Sequence, residues 1–151
     1  MSIVRLLPAW LHAVADYAVG GLLILLAIVV GGSASAVATG VVVGAVIVGL
    51  SMFTRYPLGV FKLVPFTLHS AGDYLATALL LGAPFALGFS SSDTGLTALY
   101  VGAGVAVLAV SLITNYQYGP AAPETTVVPR PAAADASPRR QRPLVAAGRK
   151  P

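Results

Sequence analysis

The sequence predicts an all-α fold: a four-transmembrane-helix bundle from two tandem parallel two-helix repeats, plus a disordered C-terminal tail. Three observations predict it. Of 151 residues, 57% are hydrophobic and only 9% charged, whereas a soluble domain is roughly 25% charged. Four apolar segments each approach the ~20 residues that a helix needs to cross a hydrocarbon core ~30 Å thick. One pattern, His-x-x-x-Asp-Tyr, occurs twice inside those segments, at 12–17 and at 69–74.

The first helix is expected over about 10–31, and "GGSAS" at 31–35 breaks it from a second over about 36–53. Arg5, the apolar run 17–30 and "SASA" at 33–36 also resemble a secretory signal. Asp16 interrupts that reading, and the same pattern recurs at 65–90, deep inside the chain. The loop "RYPLGVFKLVP" at 55–65 carries Pro57, Gly59 and Pro65, which punctuate the chain. A third helix follows over about 66–89, with Pro84 near its far end, where loss of one backbone hydrogen bond tilts the exit. "SSSDTG" at 90–95 then offers a serine or aspartate to cap a fourth helix over about 95–114. Residues 119–151 are Pro/Ala-rich, basic and without aromatics, the composition of a disordered tail.

The charges give an orientation. Arg5, the Arg55/Lys62 loop and the basic tail fall on one side of a four-span chain, and the opposite loops hold only Asp93. The positive-inside rule places both termini and the 55–65 loop in the cytoplasm. Trp10, Phe53, Tyr56, Phe61, Phe66, Tyr116 and Tyr118 fit an aromatic belt on that side. The tail carries the whole formal net charge of +4. The high pI is therefore no sign of a nucleic-acid-binding face. Cysteine is absent, which removes disulfides, thiolate nucleophiles and zinc–thiolate sites.

A shift of 57 lays "PAWLHAVADYAVGGLL" on "PFTLHSAGDYLATALL", matching Pro8/Pro65, His12/His69, Asp16/Asp73 and Tyr17/Tyr74. A shift of 60 matches Gly44/Gly104, Ser51/Ser111, Thr54/Thr114, Tyr56/Tyr116 and Gly59/Gly119. Repeat one spans 7–60 and repeat two 64–118, each with two helices, so both insert the same way round. Small residues at every fourth position, Ala36/Gly40/Gly44 and Ala98/Gly102/Ala106, favour close helix packing in lipid.

The run Pro-x-x-x-His-x-x-x-Asp-Tyr, then Gly88-Phe89-Ser90, then a span ending Leu112-x-Thr114-x-Tyr116, resembles the SPW-repeat integral membrane family over residues 7–118. The namesake Ser-Pro-Trp is degenerate: the second repeat reads Ala83-Pro84-Phe85 and the first Leu26-Ala27-Ile28. The resemblance implies a four-helix domain of a bacterial cytoplasmic (inner) membrane. It implies no activity.

Residues four apart share a helix face, so His12/Asp16 and His69/Asp73 form two polar patches, flanked by Tyr17 and Tyr74. A charge below the headgroups costs about 2.5–3.5 kcal/mol on insertion scales, so both patches should face inward, towards each other. In the first reading they are packing glue in a structural or interaction module that needs no cofactor. In the alternative, two imidazoles and two carboxylates bind a divalent metal of the zinc, iron or manganese kind, or relay protons or ions. Enzymatic activity is the least supported, because no nucleophilic serine on a strained turn accompanies the histidines. The expected partners are the lipid bilayer and another membrane protein or a second copy of the chain, and no nucleic acid.

Overall fold

The computed structural model describes residues 6–117. The tail 119–151, Arg5 and Tyr118 lie outside the described residues. The described chain is all-helical: α1 (Ala9–Val30), α2 (Ala34–Phe53), α3 (Phe66–Ala86) and α4 (Thr94–Ile113), with no strands. Three of these, α1, α2 and α4, are long and apolar enough to cross a membrane. Thr67, His69, Ser70, Asp73 and Thr77 make α3 less apolar than the others.

α1 packs closely on α2, and α3 on α4. The first hairpin closes where glycines meet. A Cβ on Gly44 would stand 2.6 Å from the Gly20 carbonyl oxygen, so neither helix tolerates a side chain there. Across the diagonal, no Cα of α1 comes within 8 Å of one in α3. That gap is filled by side chains, polar ones near the starts of α1 and α3 and apolar ones farther along, where Leu23, Ala76 and Leu80 join one core.

Each helical hairpin turns on short-range chemistry. Ser33 caps α2, its hydroxyl accepting from the Ala36 N–H. The third helix ends at Ala86, three residues short of the expected boundary. Gly88 adopts φ +73°, and the Pro84 carbonyl then accepts the N–H groups of both Phe89 and Ser90 at 3.0 Å. This is the left-handed, glycine-dependent way of stopping a helix. Asp93 occupies the N-cap of α4, but its carboxylate does not cap. It instead accepts the Ser33 N–H at 2.9 Å and the Ser33 hydroxyl at 2.8 Å, tying the two hairpins together at this end. These donors, the backbone one first, hold its carboxyl below the usual carboxylate range.

At the other end two short pairings recur. After α2, the N–H groups of Leu63 and Val64 both reach the Phe53 carbonyl, and Arg55 N–H reaches Val64. After α4, those of Leu6 and Leu7 both reach Ile113, and Asn115 N–H reaches Leu7. Leu6/Leu63 and Leu7/Val64 differ by 57 positions, and Phe53/Ile113 and Arg55/Asn115 by 60, the shifts that align the sequence with itself.

The surface is inverted relative to a water-soluble fold. Leu22, Leu25, Ile28, Val42, Val46, Leu68, Leu75, Phe85 and Val105 are exposed, while His12, Asp16, Ser51, Thr54, His69, Asp73, Ser111 and Thr114 are buried. An apolar exterior of this extent marks contact with lipid or another protein.

Candidate metal centre

His12 and Asp16 project from the first two turns of α1, and His69 and Asp73 from the first two turns of α3. The i, i+4 spacing stacks each pair on one helix face. That face turns inward, and all four side chains are buried. They meet in the diagonal gap between α1 and α3. The two Nε2 atoms stand 3.3 Å apart. His12 Nε2 lies 3.4 Å from Asp16 Oδ2 and 3.3 Å from Asp73 Oδ2. His69 Nε2 lies 3.2 Å from Asp16 Oδ2 and 3.1 Å from Asp73 Oδ1. One ligand atom from each residue can be chosen so that all four lie within 4.8 Å of one another.

The ends of α2 and α4 supply a second layer. Ser51 donates to Asp16 Oδ2 at 3.0 Å and Tyr56 donates to the same oxygen at 3.3 Å. Tyr116 donates to Asp73 Oδ2 at 2.6 Å. Burial holds both phenols well above their ordinary range, so they remain protonated donors. The outer nitrogens of the imidazoles meet threonines: His12 Nδ1 with Thr114 Oγ1 at 2.9 Å, and His69 Nδ1 with Thr54 Oγ1 at 2.8 Å. Each helix end thus serves both pairs, α2 holding Asp16 and His69, α4 holding His12 and Asp73.

Phe66 lies against both histidine rings, with centroids 5.5 Å from His12 and 5.7 Å from His69. With Ala9, Ala13, Tyr56 and Tyr116 it forms an apolar plug at this end of the helices. A cavity of about 30 Å³, lined by His12, Asp16 and apolar residues of α1 and α4, adjoins the cluster. It is large enough for about one water molecule.

Of the six residues singled out by sequence, four converge. Tyr17 turns away, its hydroxyl donating to the Leu58 carbonyl at 3.1 Å. Tyr74 is half-buried on α3 beside Asp73. Tyr56, Phe66 and Tyr116, expected in an interfacial aromatic belt, are instead buried against the cluster. Ser51, Thr54 and Thr114 join it too, and the only sequence signal for these partners is Ser-x-x-Thr-x-Tyr at 51–56 and 111–116.

The donor set suits a divalent transition metal. Two borderline imidazole nitrogens with two hard carboxylate oxygens make a mixed set accepted by zinc, iron and manganese. Ligands on one ion at roughly 2.0–2.2 Å stand about 3.0–3.5 Å apart. The imidazole–imidazole and imidazole–carboxylate separations fall in that range, while one ligand atom from each of the four residues fits within 4.8 Å. A dication also balances two buried carboxylates, which an apolar setting otherwise penalises. No family model, curated protein or solved structure matches this chain.

Proposed function

We propose that the chain is a four-span integral membrane protein of two tandem repeats, and that its His12/Asp16/His69/Asp73 cluster binds one divalent transition-metal ion. The observation that carries the metal reading is the convergence of two Nε2 atoms and two carboxylates with separations of 3.1–3.4 Å. At 3.3 Å the two Nε2 atoms cannot both present a lone pair unless a proton or a cation lies between them, and the metal reading takes the cation. The four-span reading is supported by the outer face of α3, where Leu68, Leu75, Leu79 and Phe85 are exposed. Its polar side chains His69, Asp73 and Thr77 are buried. The repeat is supported by the self-alignment and by the matching end pairings. Both termini in the cytoplasm, by the positive-inside rule, and a bacterial inner membrane, by the SPW-repeat resemblance, complete the proposal.

A second reading has one specific support. The cluster joins α1 to α3, which have no Cα pair within 8 Å. It is then a clasp in a structural or interaction module, whether or not it holds an ion. Metal analysis of detergent-purified chain separates the two. About one equivalent of zinc, iron or manganese in wild type, lost in both His12→Ala and His69→Ala, is expected for the metal centre. Metal-free wild type that remains folded leaves the clasp alone.

A further inference from the structure

The structure carries an inference about how the histidines are set, which rests on the metal reading. A threonine hydroxyl has one proton to give. Thr54 gives it to the Leu50 carbonyl at 2.7 Å, and Thr114 gives it to the Val110 carbonyl at 2.7 Å. Both are i−4 bonds, of the kind a threonine at a helix end makes readily, and both threonines stand at C-cap positions. With their protons committed, these oxygens can only accept. The partner atom in each case is a histidine Nδ1, so Nδ1 carries the hydrogen in both imidazoles.

We infer that Thr54 and Thr114 are positioning residues that fix both imidazoles as the Nδ1–H tautomer and so turn both Nε2 lone pairs onto the ion. A neutral imidazole with hydrogen on Nδ1 has its free pair on Nε2. In both histidines that atom is the one directed at the carboxylates. An outer hydrogen bond from the far nitrogen of a metal-ligating histidine orients the ring and raises its basicity. The arrangement is crossed: Thr114 at the end of α4 orients His12 of α1, and Thr54 at the end of α2 orients His69 of α3. Neither histidine is set by its own helix.

The test uses full-length protein in detergent, stripped of metal and titrated with Zn²⁺ or Co²⁺ in competition with a chromophoric chelator. Thr54→Val and Thr114→Val keep the side-chain shape and remove the acceptor. Each is expected to weaken metal affinity about 10–100-fold. Thr54→Ser and Thr114→Ser restore the acceptor and are expected to restore most of the affinity. The chain has two histidines only, so ¹⁵N-histidine spectra of the zinc-loaded wild type report these two rings alone, even where a valine variant fails to fold. Hydrogen on Nδ1 and zinc on Nε2 are expected in both. Wild-type affinity in both valine variants, or zinc on Nδ1 of either ring, overturns the inference while leaving the metal centre standing. A wild type that takes up no ion overturns the metal reading and this inference with it.

Discussion

Asp73 accepts one short phenol bond, from Tyr116 at 2.6 Å, whereas Asp16 divides its oxygen between Ser51 at 3.0 Å and Tyr56 at 3.3 Å. The residues correspond, but their bonding is unequal. Tyr116→Phe should therefore destabilise more than Tyr56→Phe in detergent unfolding. The expected size lies between the ~0.6 kcal/mol average and the ~1.7 kcal/mol maximum of membrane hydrogen bonds. The aspartates themselves separate ion from clasp. With an ion, Asp73→Asn should lose metal nearly as completely as Asp73→Leu, because the charge is what matters. In a clasp without one, the amide still accepts and Asn should be clearly milder by the same unfolding measurement. His12, Asp16, His69 and Asp73 were legible in the sequence because ionisable groups are conspicuous in apolar runs. Their partners show in the sequence only as a recurring Ser-x-x-Thr-x-Tyr, with nothing to say which group each one meets. Ser51, Thr54 and Tyr56 are ordinary residues near a helix end, and the His12–Thr114 contact joins positions 102 apart.

At the scale of elements, packing of α1 on α2 rests on the Gly20/Gly44 approach. Gly44→Val should cost about 1–3 kcal/mol through overpacking. Gly49→Ala, in the same helix, should be near neutral, since a Cβ there meets nothing within 4 Å. Detergent unfolding of the two variants checks the pair. The opposite end makes a pH prediction. The Asp93 carboxyl is held below its ordinary value by the Ser33 N–H, then the Ser33 and Ser92 hydroxyls. Its stabilising contribution is thus present above about pH 4 and lost as the pH falls through the lowered folded value. Asp93→Asn should remove that part of the acid dependence, read as a flatter unfolding midpoint between pH 5 and pH 3. Helix positions were legible to within a few residues, because apolar runs and turn residues fix them locally. The end of α3 was not, since it depends on Gly88 taking a positive φ, which "GFS" alone does not dictate. Nor was the turning of Asp93 from its own helix to Ser33, 60 positions away.

For the molecule as a whole, orientation is checked by reporter fusions. Reporters after Pro151 and near Gly59 should read cytoplasmic, and one near Ser92 should not. All three reading alike would overturn the four-span topology. The pairing of Leu6 and Leu7 with Ile113 has a consequence of a different kind. It repeats, between the two ends of the described chain, the contact that Leu63 and Val64 make with Phe53 inside a continuous loop. Asn115 N–H bonds the Leu7 carbonyl at 3.1 Å, so the first and last described segments lie side by side. The order in which the hairpins are threaded is therefore incidental to the packing. A permuted chain that begins in the 55–65 loop, runs through α3 and α4, and is joined by a short linker to Leu6 should assemble the same bundle. Its detergent stability and metal content should match those of the parent.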